Sequence, residues 1–353
     1  MSGVGPVGLL RRMVEVASPS GGEGPLAQLL VAEMAALGYS ARVDAAGNAV
    51  GEIGNGGGPT VMLVGHLDTA GTTLPVEVRD GRLYGRGAVD AKGALATMVC
   101  AAATAAGRFP GRLTVVGAVE EEVPGSRGAH HVGRTYPAPD ALVIGEPSGW
   151  SSVVIGYKGR TDFRYRVRCP PGHPTRPAPR AAELATAAWH TFQEAVGPRR
   201  SHAAFDLPGT TLHEIRGDLD EAEAAFSVRS PPGFDPGGLL ATLRDRLPEG
   251  EVTLVGSVPA CRVGRRDPVV GALSAAIGAQ GARPTWKLRT ATSDMNTLAG
   301  YWTVPVACYG PGDSRLDHSD DEHLPLADYE RAIAVLAATL ARLGERLADG
   351  SRP

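Results

Sequence analysis

Residues 60–69 read TVMLVGHLDT, an apolar run that ends in Gly65-His66-Leu67-Asp68. Two further stretches have the same form: residues 112–122 read RLTVVGAVEEE, and residues 141–146 read ALVIGE. None alternates polar with apolar, so each predicts a strand buried on both faces. Continuous apolar strands separated by helical segments indicate an α/β layer with a mainly parallel sheet. In an open parallel sheet, side chains just past the strand C-termini converge on one crevice. Here those side chains are His66, Asp68, Glu120, Glu121, Glu122 and Glu146. So many carboxylates aimed at one place repel each other unless a cation lies among them. Oxygen and imidazole donors suit zinc, cobalt or manganese.

Each fragment alone has a plainer reading. A single His-x-Asp is commonly incidental, three glutamates in a row commonly start a solvated helix, and Asp90 in GAVDAKG (residues 87–93) has the chemistry of a turn residue. Their order along the chain carries the information.

Outward from these strands, residues 7–16 and a segment opened by Pro25 and stopped by Gly38 read as two helices. After Ile155 the pattern changes. Residues 159–169 alternate as a half-exposed strand does, and the order that follows, β-α-β-β-α-β, is that of a ferredoxin-like unit. The expected organisation is a discontinuous catalytic domain, residues 1–155 and 266–353, with an inserted α+β lid or dimerisation domain at 156–265. A helix over about 326–347 closes the chain.

The bulk composition excludes other classes. The chain has 353 residues, a net charge of −3 and 5% aromatic residues, so neither a basic field nor stacking platforms for nucleic acid are present. The four cysteines, Cys100, Cys169, Cys261 and Cys308, form no Cys-x-x-Cys pair and read as free thiols. No apolar run is long enough to span a bilayer, and residues 1–13 lack the order of a signal peptide. The expectation is a cytoplasmic protein with no membrane contact.

Five separated motifs resemble the di-zinc metallopeptidase and aminoacylase family, which includes acetylornithine deacetylase and succinyl-diaminopimelate desuccinylase. They are residues 65–69 (GHLDT), 85–93 (GRGAVDAKG), 120–122 (EEE), 145–148 (GEPS) and 318–322 (HSDDE). The resemblance spans nearly the whole chain and implies roles by position. His66 and Glu146 would share one zinc, Glu122 and His318 would hold the other, and Asp90 would bridge them. Cobalt and manganese are the alternative ions. Asp68 would stand behind His66 and fix its tautomer. A cis peptide is implied at Asp90–Ala91. Glu121 matches the family's general base; a one-residue slip would make Glu120 the base and Glu121 the ligand. His318 is favoured over His323 by spacing. Members carry a Gly-His-Ser/Ala segment whose histidine reaches the partner subunit's site in a homodimer. Here the segment is Gly172-His173-Pro174, and Pro174 departs from the pattern.

Residues 156–160 (GYKGR), 227–232 (SVRSPP) and 290–296 (TATSDMN) look most like the lysine and ornithine hydrolases that act on amino-group carrier proteins. The resemblance implies an amino acid linked through its α-nitrogen to the terminal glutamate of an acidic carrier, with hydrolysis releasing it. Arg229 is the candidate partner for the substrate carboxylate. Asp294 is the candidate for a cationic side chain, its alternative being a helix N-cap. Independently of the family, Arg164, Arg166 and Arg168 alternate along one strand and would share a face, either a solvated surface or a dock for an acidic protein. The competing readings are an N-acetyl-ornithine or N-acetyl-lysine deacetylase, a dipeptidase or carboxypeptidase on the same centre, and a non-catalytic binding protein.

Overall fold

The computed structural model of the chain describes residues 5–173 and 177–349. It contains two units: Met1–Ile155 with Val263–Lys287 and Ser293–Pro353, and Gly156–Arg262 with Leu288–Thr292. Leu288–Thr292 therefore belongs with the second unit, although it lies beyond the stretch read from sequence as the insertion.

In the first unit, α1 (Pro6–Glu15) and α2 (Gly24–Ala36) precede β1 (Ser40–Val43), β2 (Ala49–Gly54) and β3 (Thr60–His66). Then come β4 (Glu77–Arg79), β5 (Arg82–Tyr84), α3 (Lys92–Ala105), β6 (Arg112–Ala118), α4 (Arg127–Thr135), β7 (Ala141–Gly145) and β8 (Ser152–Tyr157). The second unit holds β9 (Gly159–Arg168), α5 (Ala181–Val196), β10 (Gly209–Gly217), β11 (Glu221–Ser230), α6 (Pro236–Arg246), β12 (Gly250–Val258) and β13 (Cys261–Arg262). After α7 (Pro268–Ala279) and β14 (Thr285–Arg289), the chain ends in α8 (Asp294–Ala299), β15 (Val306–Cys308), β16 (His323–Pro325) and α9 (Leu326–Ala348).

The main sheet of the first unit runs β1-β2-β6-β3-β7-β15-β8. Its four core strands, β6, β3, β7 and β15, are parallel, as their unbroken apolar runs require. β2 and β8 flank them in antiparallel fashion. The register aligns the strand ends: His66 faces Ala118, and Gly65 faces Gly145. The next residues of each strand therefore leave the sheet side by side.

Helix α3 is alanine-rich and almost wholly buried. It reaches the sheet because Gly65 and Gly145 present no side chain to it. A Cβ on Gly145 would meet Met98 Cε at 2.9 Å and Gly65 Cα at 3.3 Å; one on Gly65 would meet Leu95 Cβ at 3.3 Å. This close approach sets the start of α3, and with it the Asp90 loop, beside the strand ends. A small sheet, β16-β5-β4, ties the His318–Glu322 segment to the same loop.

The second unit is antiparallel throughout, with strand order β10-β11-β9-β12. Its core packs Phe163, Tyr165, Phe226 and Val228 of the sheet against Phe192 of α5 and Leu243 of α6. On β9 the alternation holds, with Arg164, Arg166 and Arg168 turned away from that core. They are not unopposed, however. Glu223 on β11 receives Arg164 at 3.1 Å, Arg166 at 2.6 Å and Arg216 at 3.3 Å, and Glu221 receives Arg168 at 3.3 Å. Strand pairing brings in counter-charges that lie more than fifty residues away in sequence.

All four cysteines are free thiols, with Cys100 and Cys308 buried. Among the described residues, no helix is long and apolar enough to cross a membrane. Gly145→Val, which drives side-chain carbons into Met98, is expected to cost about 1–3 kcal/mol, read as a lower urea midpoint with unchanged sheet content by circular dichroism.

Candidate metal centre

His66, the last residue of β3, is 1% exposed. Its Nδ1 lies 2.9 Å from the backbone carbonyl oxygen of Asp68 and 3.6 Å from the Asp68 carboxylate. The carbonyl is thus the nearer acceptor for the ring, with the Asp68 carboxylate just behind it. That carboxylate, fully buried, accepts the backbone N–H groups of Glu121 and Glu122 at 3.0 Å each and the Ser20 hydroxyl at 2.7 Å. Asp68 therefore locks the end of β6 to the end of β3.

The other nitrogen, His66 Nε2, lies 3.3 Å from Asp90 Oδ1. The Asp90–Ala91 peptide is cis. Glu322, 1% exposed, accepts the N–H groups of Val89 at 2.9 Å and Asp90 at 3.1 Å, while the buried Arg86 guanidinium donates to its other oxygen at 2.9 Å. His318 completes the group: its Nε2 is 3.0 Å from Glu122 Oε1 and 3.1 Å from Asp90 Oδ2. Its φ of +60° is unfavourable for a residue with a side chain, so the loop is held in a conformation that tertiary contacts must support.

Two sets of donor atoms could each hold a metal ion. In one, His66, Asp90 and Glu122 offer atoms all within 4.8 Å of one another; in the other, His66, Glu121 and Glu146 do. Glu120 is turned elsewhere, its carboxylate accepting Arg127 Nε at 2.9 Å. Of the three glutamates, Glu121 and Glu122 face the cluster. His323, the rival to His318, packs its ring 4.9 Å from that of Tyr84, and its Nδ1 lies 2.7 Å from the Asp321 carbonyl oxygen.

Electrostatics test whether a cation fits. Burial, together with repulsion from Asp294 and Glu122, raises the Glu121 carboxyl well above its usual range. Burial and the charge of Glu121 do the same to Glu146, and burial raises Glu122. His66 moves the other way from what burial alone would do, because hydrogen bonds to Asp68 and Asp90 raise it well above 6.5. Asp90 pushes His318 up to about 9. Without a cation, burial and crowding shift these groups toward their protonated forms. Divalent ions would replace those protons, and the nitrogen-and-oxygen donor set suits zinc, cobalt or manganese. The residues fit a metal centre.

Asp294 lies close enough to the cluster for its charge to act on Glu121 and Glu146. It is 2% exposed, burial raises it to about 7, and its Oδ1 has no hydrogen-bond partner among the described residues. It is not the cap of α8; Ser293 is, accepting the Met295 N–H at 3.2 Å. Arg229 and His173 lie in the second unit. Arg229 Nη1 donates to Thr292 Oγ1 at 3.0 Å, and His173 is exposed. The supporting residues Ser20, Glu23, Arg86 and Glu322 were not singled out from sequence. Arg86 and Glu322 fall inside quoted motifs, whereas Ser20 and Glu23 carry no local signal.

Residues 62–342 match Peptidase family M20/M25/M40. The chain is 40% identical to the LysW-lysine hydrolase of Deinococcus radiodurans, over 95% of this chain and 96% of that protein. It is 37% identical to a putative LysW-lysine/LysW-ornithine hydrolase of Thermococcus kodakarensis, over 98% and 95%. Among solved structures, aminopeptidase PepT from Bacillus cereus superposes with a TM-score of 0.80 at 18% identity, covering 96% of this chain and 98% of that one. A dinuclear metal-binding M20 peptidase from Bacillus subtilis does so at 0.71 and 12%, covering 96% and 98%.

Asp68→Asn replaces an acceptor of two N–H groups with an amide that has one acceptor oxygen. Turnover is expected to fall about 10–100-fold. In metal-free protein, Asp68 is held at about 2 against 3.8: burial works against this, but His66, Ser20 and the Glu122 N–H outweigh it. A depressed pKa gives stability that is present above 3.8 and lost as pH falls through about 2. Urea midpoints measured across that window should drop less steeply for the asparagine variant than for the parent.

Proposed function

The chain belongs to peptidase family M20/M25/M40, and from that premise we propose that it releases a basic amino acid from a carrier protein. The bond is the amide between the amino acid's α-nitrogen and the terminal glutamate of an acidic amino-group carrier, and the product is lysine, ornithine or an analogue. One observation carries this reading: relatives named for hydrolysis of LysW-lysine and LysW-ornithine match this chain at 40% and 37% identity over nearly its whole length. The reaction is hydrolysis of a peptide-type bond.

His66 and Glu146 would hold one ion and Glu122 and His318 the other, with Asp90 between them; zinc is the proposed metal. Two such ions lower the pKa of water and polarise a carbonyl oxygen. Glu121 takes the proton of the attacking water and delivers it to the leaving α-nitrogen. The Glu120–Arg127 pairing supports Glu121 rather than Glu120 in that role. Asp68 keeps Glu121 and Glu122 in place during the transfer. His173 would donate a hydrogen bond to the developing oxyanion across a homodimer, and Arg229 would bind the substrate α-carboxylate through two parallel hydrogen bonds. The unpartnered oxygen of buried Asp294 supports contact with a cationic side chain. Recognition of the carrier rests on the relatives' names. The β9 arginines, matched against Glu221 and Glu223, do not add to it.

Purified protein should hydrolyse carrier-linked lysine or ornithine with kcat/KM at least about 100-fold above that for N-acetyl-ornithine and N-acetyl-lysine. Turnover of the acetyl compounds with none of the carrier-linked ones would overturn the proposal and make the protein a small-molecule deacetylase. Glu121→Gln should lower kcat about 10²–10⁴-fold while metal content, measured by plasma emission, stays at the parent level. Asp294→Asn should raise KM for a lysine-bearing substrate more than for one with a neutral side chain of equal length; an equal change in both would remove Asp294 from substrate binding.

A further inference from the structure

We propose that Glu23 is a positioning residue for hydrolysis, acting on Glu121 through the backbone of Glu120. Glu23 sits at the N-cap position of α2, yet its side chain makes no capping bond to that helix. It is 3% exposed, and among the described residues it has no ion-pair partner. Its Oε1 instead accepts the N–H of Gly21 at 3.0 Å and, ninety-seven residues on, the N–H of Glu120 at 3.1 Å. A carboxylate withdrawn from water is retained where charge-assisted hydrogen bonds repay the desolvation.

What it holds is an unfavourable backbone. Glu120 has φ +59°, in the left-handed region that residues with a side chain avoid. That single turn separates neighbouring side chains: the Glu120 carboxylate goes to Arg127, and the next two go to the metal cluster. Three successive N–H groups are then held by two buried carboxylates, Glu120 by Glu23 and Glu121 and Glu122 by Asp68. Both acceptors belong to one bracket. Ser20 donates to Asp68 at 2.7 Å, Ser18 Oγ donates to the Leu67 carbonyl at 2.7 Å, and the Thr69 N–H donates to the Ser18 carbonyl at 3.0 Å. Residues 18–23 thereby fasten the ends of β3 and β6, and Glu23 is the only one of them that grips the left-handed residue before Glu121. A misplacement of about 1 Å at a reacting group costs on the order of 10²-fold in rate.

The inference rests on Glu121 as the proton carrier. The test compares Glu23→Ala, Glu23→Asp and Glu23→Gln on whichever substrate type is turned over, with kcat and KM resolved, zinc affinity by calorimetry and folding by circular dichroism. Glutamine keeps an acceptor oxygen at the same reach; aspartate keeps the charge but falls one methylene short. Alanine and aspartate should lower kcat about 10–100-fold with KM nearly unchanged, and glutamine should recover most of the loss. Full kcat in Glu23→Ala would overturn the inference, as would a rise in KM alone, or an aspartate variant that works beside a glutamine variant that fails. Should Glu23→Ala not fold, the Asp and Gln pair decides. Turnover that survives in Glu121→Gln removes the underlying premise; a dead Glu121→Gln beside an intact Glu23→Ala removes this inference alone.

Discussion

Four carboxylates, Asp90, Glu121, Glu122 and Glu146, meet around the buried His66, withdrawn from most of the solvent. Like charges brought together there repel strongly, because little solvent screens them. The rest of the first unit can be understood as the apparatus that holds this arrangement against its own repulsion. Parallel register brings the strand ends level. Bare glycine surfaces let α3 close on the sheet. Asp68 pins one loop through two backbone N–H groups, and Glu322 pins another in the same way. The four arrive on three segments, the ends of β6 and β7 and the loop before α3, so no adjustment of one loop alone relieves the crowding. Positive charge does, whether as protons on His66 and His318 or as metal ions.

Much of this was legible in the residues, and the boundary of legibility has a physical origin. Apolar runs that do not alternate require a sheet covered on both faces, so Thr60–His66, Arg112–Ala118 and Ala141–Gly145 could be recognised one segment at a time. Chemistry at the strand ends followed from topology. The supporting residues were harder to see because their partners are remote: Glu322 reaches Val89 and Asp90 across more than 230 positions, and Glu23 reaches Glu120 across 97. Nothing in a window of ten or twenty residues marks a carboxylate that will accept a distant N–H. Asp68 illustrates a finer limit. Its proximity to His66 was expected, but its shorter hydrogen bonds are to the backbone of two glutamates, a relation only the folded chain displays.

The second unit shows the same limit in charge. Read along β9 alone, Arg164, Arg166 and Arg168 form a basic stripe. Antiparallel pairing then places Glu223 opposite Arg166 and Glu221 opposite Arg168. A linear count of charges overstates a field whenever the neighbouring strand carries the opposite sign. The alternation itself was a sound guide, since it reports only which side of the sheet a residue occupies.

The pairing of Arg86 with Glu322 bears on how the protein is born. Arg86 is made early and Glu322 more than two hundred residues later, yet the two are buried together as an ion pair. During synthesis from the N-terminus, the guanidinium and the N–H groups of Val89 and Asp90 await an acceptor that has not yet been made. Burying them without it would leave charge and hydrogen-bonding groups uncompensated. The Asp90 loop is therefore tied to a segment that β16 joins to β5. A chain ended before residue 318 would lack both the Glu322 acceptor and the His318 imidazole that faces Asp90 and Glu122.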